Sequence, residues 1–125
     1  MKPDFVEIFQ TIRASLQPYA TLGFSNRTNS ETTYDLWSDK NVEIDGEQKH
    51  EVFFASVSIE EDHVAFHFMP AFARPDIKRV FDEEQLQLLK EDSYFHITEL
   101  DELLMSKIED VLAEGYRLYK ERTWV

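Results

Sequence analysis

The sequence predicts an α+β domain: an antiparallel β-sheet of about five strands with an N-terminal and a C-terminal helix packed on one of its faces. Three observations carry this reading. The chain opens and closes on stretches whose apolar residues recur at helical spacing. Between them lies sequence with period-two alternation broken by short turn signals. One part of it, "VFFASVSIEEDHVAFHFMP" (Val52 to Pro70), folds back on itself so that one set of facing residues is wholly apolar.

The first helix is expected from about Pro3 to Gln17. Pro3 suits a first helical position and Pro18 ends the segment. Phe5, Ile8, Phe9, Ile12 and Leu16 share one face, with Glu7, Gln10, Arg13 and Gln17 opposite. Strands follow at about Leu22–Arg27 and Thr32–Ser38, joined by the polar turn "NRTNS". In the second, Tyr34 and Leu36 share a face, and Asp35 and Trp37 share the other. Asp45-Gly46 then signals a hairpin, because a type I′ turn needs positive φ at both central positions.

In the Phe-rich hairpin, a turn at Glu61-Asp62 sets Ile59 against Val64, Val57 against Phe66, Ala55 against Phe68 and Phe53 against Pro70. This set is read as core. The other set pairs Ser58 with Ala65, Ser56 with His67 and Phe54 with Met69, and is read as an open face. Pro70 and Pro75 break the strand. "DEEQLQLLK" reads as a short helix with Asp82 as N-cap and Gln85 at the capping-box position. "SYFHI" is a short strand with Tyr94 and His96 on one face and Phe95 on the other. The remainder is a long helix that Thr98 can cap, with Glu99, Asp101 and Glu102 at its positive end. Leu104, Ile108, Val111, Leu112, Gly115 and Leu118 form its buried stripe.

The bulk properties bound the function. A chain of 125 residues, 42% hydrophobic, makes one domain with a real core. It contains no Cys, which removes disulfides, thiolate metal sites and Cys nucleophiles. The opening residues lack the apolar run of a signal peptide, and no apolar run approaches the ~20 residues of a membrane span. A cytoplasmic protein is therefore expected. The net charge of −12 argues against nucleic acid and anionic membranes as partners. Arg74, Lys78 and Arg79 form a basic patch that stands out in this acidic chain.

"VFFASVSIEEDHVAFHFMP", the Pro-containing loop after it and "SYFHITELDELLMSKIEDVLAEGYRLYKERTWV" resemble the YdhG-like domain family of unknown function. The resemblance extends over most of the chain, including the first helix and "TTYDLW". It implies a frataxin-like shape, two helices on one face of an antiparallel sheet. It also implies iron as the one cofactor to consider, since a member has been linked to iron delivery. Frataxin-type iron sites use carboxylates of the first helix and the adjoining strand edge. Here that pattern matches only Asp4 and Glu7, three apart on one helix face.

Three functional readings follow. The first is a non-enzymatic binding module that uses the open face, with Phe54, Ser56, His67, Met69 and His96 as its ligand- or partner-binding residues. A homodimer formed through that face or through an edge strand belongs to the same reading. The second is an iron-binding chaperone with Asp4 and Glu7 as metal ligands. The third is an enzyme built on Ser56 opposite His67, which lacks an evident oxyanion hole and orienting acid. Among the histidines, His63 and His67 on one strand stand ~13 Å apart and cannot share an ion. His67 and His96 make a better pair if their strands adjoin.

Overall fold

The computed structural model describes residues 4–44, 46–69, 79–90 and 94–125. Its elements are α1 (Phe5–Leu16), β1 (Phe24–Ser25), β2 (Thr33–Ser38), β3 (Val42–Ile44), β4 (Glu47–Lys49), β5 (Val52–Ile59), β6 (Val64–Phe68), α2 (Glu83–Leu86), β7 (Leu89–Lys90), β8 (Tyr94–Ile97) and α3 (Glu102–Glu121). Six strands form one antiparallel sheet in the order β1-β2-β5-β6-β8-β7, one more than expected, because the turn after α2 closes into the short strand β7. β3 and β4 form a separate two-stranded hairpin. Its turn includes Gly46 at φ +81°, the left-handed region that the Asp-Gly pair anticipates. Asp45, Pro70 and the basic residues Arg74 and Lys78 lie outside the described residues.

Local chemistry sets the helix ends. Asp4 caps α1, its Oδ1 accepting the Glu7 N–H at 3.1 Å. Pro18 stops the α ladder, but the path continues as a 3₁₀ turn over Gln17–Thr21, in whose first turn the missing proline N–H costs nothing. α2 has the expected capping box, with Asp82 and Gln85 exchanging hydrogen bonds at 2.8 and 3.0 Å. α3 begins later than expected. Its cap is Asp101 rather than Thr98, with Asp101 Oδ1 accepting the Leu104 N–H at 2.7 Å. The apolar stripe explains this: its first buried residue is Leu104, and the residue three positions earlier is the one whose carboxylate reaches that N–H.

Both long helices bury their stripes in one core. Ile8, Phe9, Ile12 and Leu16 of α1 join Leu104, Ile108, Val111, Leu112, Leu118 and Tyr119 of α3. They meet Tyr34, Leu36, Val57, Phe66, Phe68, Phe95 and Ile97 from the sheet. The hairpin register is the expected one, with Ile59 opposite Val64, Val57 opposite Phe66 and Ala55 opposite Phe68.

One residue departs from this pattern. Between Leu36 and Trp37 the β2–β5 register slips by one, so Leu36 pairs with Ala55 but Trp37 pairs with Phe53. Phe54 is the extra residue of a bulge. A bulge inverts the alternation beyond it, so Phe54 enters the core with no exposed surface and Phe53 turns away from it. The expectation that Phe54 lies on the open face is thereby overturned. Its ring stacks on Phe24 at 4.5 Å and also meets Tyr19, Phe68 and Tyr119. The Tyr119 hydroxyl crosses the core to donate to the Phe53 carbonyl.

Candidate functional site

The register defines the second face of the sheet. Thr33, Ser58, Ala65 and His96 form one cross-strand row. Asp35, Ser56, His67, Tyr94 and Lys90 form the next. Past the bulge, Trp37 pairs with Phe53, their rings 5.1 Å apart edge to face. The larger apolar members of this face, Trp37, Phe53 and Tyr94, stay outside the helix-side core. Ser56, His67 and His96 therefore lie on the face expected of them. Met69, half-buried, follows β6 and donates its N–H to the Phe54 carbonyl at 3.0 Å.

Two nitrogens on this face are buried with no hydrogen-bond partner among the described residues: His67 Nδ1 and Trp37 Nε1. Burial also pushes the His67 pKa below the ordinary histidine value, so its imidazole is neutral at pH 7. His67 lies opposite Ser56 and beside Tyr94, ring centroids 5.4 Å apart. Among the described residues, no hydrogen bond joins Ser56 to His67 and no carboxylate hydrogen-bonds its Nδ1. The pair lacks the contacts that would make a nucleophile and its base.

The two ends of the face are organised differently. Near Trp37, the Asp35 carboxylate is buried and accepts the backbone N–H groups of Arg27 at 2.7 Å and Thr28 at 2.9 Å. The Arg27 guanidinium lies 6.0 Å from the Trp37 ring and bonds Asp39 and Glu51. These carboxylates raise the Arg27 pKa further, and with Asp35 beside them they outnumber the one guanidinium at this end. At the other end, His63 stacks on His96, centroids 3.9 Å apart and planes within 15°. His63 Nδ1 is 2.6 Å from Asp62 Oδ1, a contact that holds the Asp62 carboxyl below its usual range. β6 and β8 do adjoin, but His96 meets His63, whereas Tyr94 stands opposite His67. The sequence reading missed Trp37, Asp62 and His63 as site residues. Period-two parity could have placed Trp37 and His63 on this face; only strand order reveals the His63–His96 contact.

Asp4 and Glu7 lie on the opposite side of the molecule. With Thr98, Glu99, Asp101 and Glu102 they line a groove of about 590 Å³ between the N-termini of α1 and α3. One carboxylate oxygen of Asp4 is already engaged in capping. Among the described residues, no helix is long and apolar enough to cross a membrane.

Compared with known proteins, the chain matches no family model, no curated protein and no solved structure at a significant level.

Proposed function

We propose that this chain is a non-enzymatic binding module whose ligand docks on the open sheet face, along Trp37, Ser56, His67 and Tyr94. The observation that carries the reading is the pair of buried, unpartnered nitrogens, His67 Nδ1 and Trp37 Nε1. An unmade hydrogen bond at a buried polar group costs about 1–3 kcal/mol. Buried polar groups are therefore nearly always paired, and each exception needs an account such as strain, a bound water or ion, or a docked ligand. A docked molecule that presents an acceptor to the Trp37 N–H and a polar atom to His67 recovers that cost. His67 is neutral and the Arg27 end carries more carboxylates than cations, so an anion is disfavoured and the ligand that fits is one with an amide or carbonyl group. Membership of the YdhG-like family and a cytoplasmic location, which rest on the sequence motifs and composition, belong to the same proposal.

The test is an NMR titration of labelled protein with a panel of small amides. Saturable shifts at Ser56, His67, Tyr94 and the Trp37 indole N–H, weakened by His67→Ala, support the proposal. Shifts confined to the helix side refute it. The iron-chaperone alternative is favoured by the groove in which Asp4 and Glu7 stand beside Glu99, Asp101 and Glu102. Anaerobic calorimetry with Fe(II) against Mg(II), repeated on Asp4→Asn/Glu7→Gln, tests it. Heat that Mg(II) reproduces removes it.

A further inference from the structure

The geometry points to a transition-metal site at the turn end of the sheet, built from Asp62, His63 and His96 and suited to Zn(II) or Co(II). This site is separate from the amide-binding surface proposed above and does not rest on it.

The three residues come together through the register. β6 and β8 run antiparallel with Ala65 opposite His96. His63, two residues before Ala65, is then the diagonal neighbour of His96 on the same face. The hairpin turn adds Asp62 beside His63. One donor atom from each residue lies within 4.8 Å of the others. Ligands about 2.0–2.1 Å from a tetrahedral zinc ion stand about 3.3–3.5 Å from one another, so side-chain rotation alone closes the set. The rings must leave their stack to do so, because the in-plane lone pairs of parallel imidazoles never meet at one point. The contact between Asp62 Oδ1 and His63 Nδ1, 2.6 Å long, already holds two of the three residues side by side.

The donor set selects the ion. Two imidazoles and one carboxylate suit first-row divalent ions such as Zn(II), Co(II), Ni(II) and Fe(II), whereas Mg(II) and Ca(II) prefer oxygen ligands. Three protein ligands leave the fourth position to water or to a donor atom of a docked molecule. The other two histidines stand apart. His50 Nδ1 faces Asn41 Oδ1 at 2.8 Å beside the separate hairpin, and His67, whose ring like that of His63 neighbours Tyr94, stands outside the group of three whose donor atoms converge.

The experiment is a titration of metal-free protein with Zn(II) against a chromogenic chelator, paralleled by Co(II) read by visible absorption. One equivalent should bind, with the intense absorption of four-coordinate Co(II). Affinity should fall with His63→Ala or His96→Ala by more than the roughly 10- to 100-fold that loss of an outer-shell partner costs, and should not change with Asp4→Asn/Glu7→Gln. No saturable binding by the native chain, or binding that both histidine variants retain, overturns the proposal. Should the variants fold poorly, ring-proton NMR of the native chain decides. Zn(II) must shift His63 and His96 together and leave His50 in place; a shift of His50 alone overturns the assignment.

Discussion

Replacing Phe54 and its neighbour Phe53 by alanine, one at a time, tests the bulge in β5. Strict alternation makes Phe53 the core residue; the bulge makes it Phe54. Phe54 has no exposed surface and meets Tyr19, Phe24, Phe68 and Tyr119, with Phe24 stacked at 4.5 Å. Full burial of a Phe side chain is worth about 1.5–3 kcal/mol, and favourable ring pairs and the cavity left behind add to its loss. Phe54→Ala should therefore cost about 3–5 kcal/mol. Phe53 is half-buried and, among the described residues, has one ring neighbour, Trp37. Its carbonyl accepts the Tyr119 hydroxyl, but alanine keeps that carbonyl. Phe53→Ala should cost about 1 kcal/mol. With a urea m-value of about 2 kcal/mol/M, the unfolding midpoint falls by about 2 M for Phe54→Ala and about 0.5 M for Phe53→Ala. Equal losses, or a larger loss at Phe53, would refute the bulge and return the face assignment to simple alternation.

Other expectations follow from single contacts. Asp101→Ala should cost about 1 kcal/mol and Thr98→Ala close to nothing by denaturant unfolding, because the carboxylate of Asp101 caps α3. Gly23→Ala should lose about 1–3 kcal/mol in the same assay, since φ is +112° and a Cβ would stand 2.8 Å from Val125 Cγ2. Tyr119→Phe removes the bond to the Phe53 carbonyl and should cost about 1–2 kcal/mol near neutral pH. Burial raises the Tyr119 pKa above the ordinary value of about 10, so the folded state binds its proton more tightly than the unfolded chain. That contribution is fully present below pH about 10 and is lost as pH climbs through the folded pKa. Stability measured between pH 9 and 11 should fall less steeply in Tyr119→Phe than in the native chain.

Sequence patterns were most legible where polar and apolar residues alternate without a break. Ser56, Val57 and Ser58 against Ala65, Phe66 and His67 admit one register, and the structure has it. The bulge was hidden because Val52-Phe53-Phe54-Ala55 is apolar throughout and carries no parity. Asp82 could be read as a cap because Gln85 completes its box. The start of α3 offers oxygen-bearing side chains at Thr98, Glu99 and Asp101, and only the position of Leu104 beneath the helix chooses among them. The His63–His96 stack needs β6 and β8 to be neighbours, a fact of strand order that no local pattern contains. The unpartnered nitrogens of Trp37 and His67 were equally illegible, because burial on that face is a property of the assembled sheet.

The outermost strands of the sheet, β1 and β7, are each two residues long. Beside β1, the Asp35 carboxylate takes the amides of Arg27 and Thr28 that a longer strand would place in its ladder. A sheet grows by backbone pairing along its rim, and so short a rim gives an incoming strand little to template on. Growth of the six-stranded sheet by a strand added beside β1 or β7 is therefore disfavoured, however many aromatic residues the chain carries.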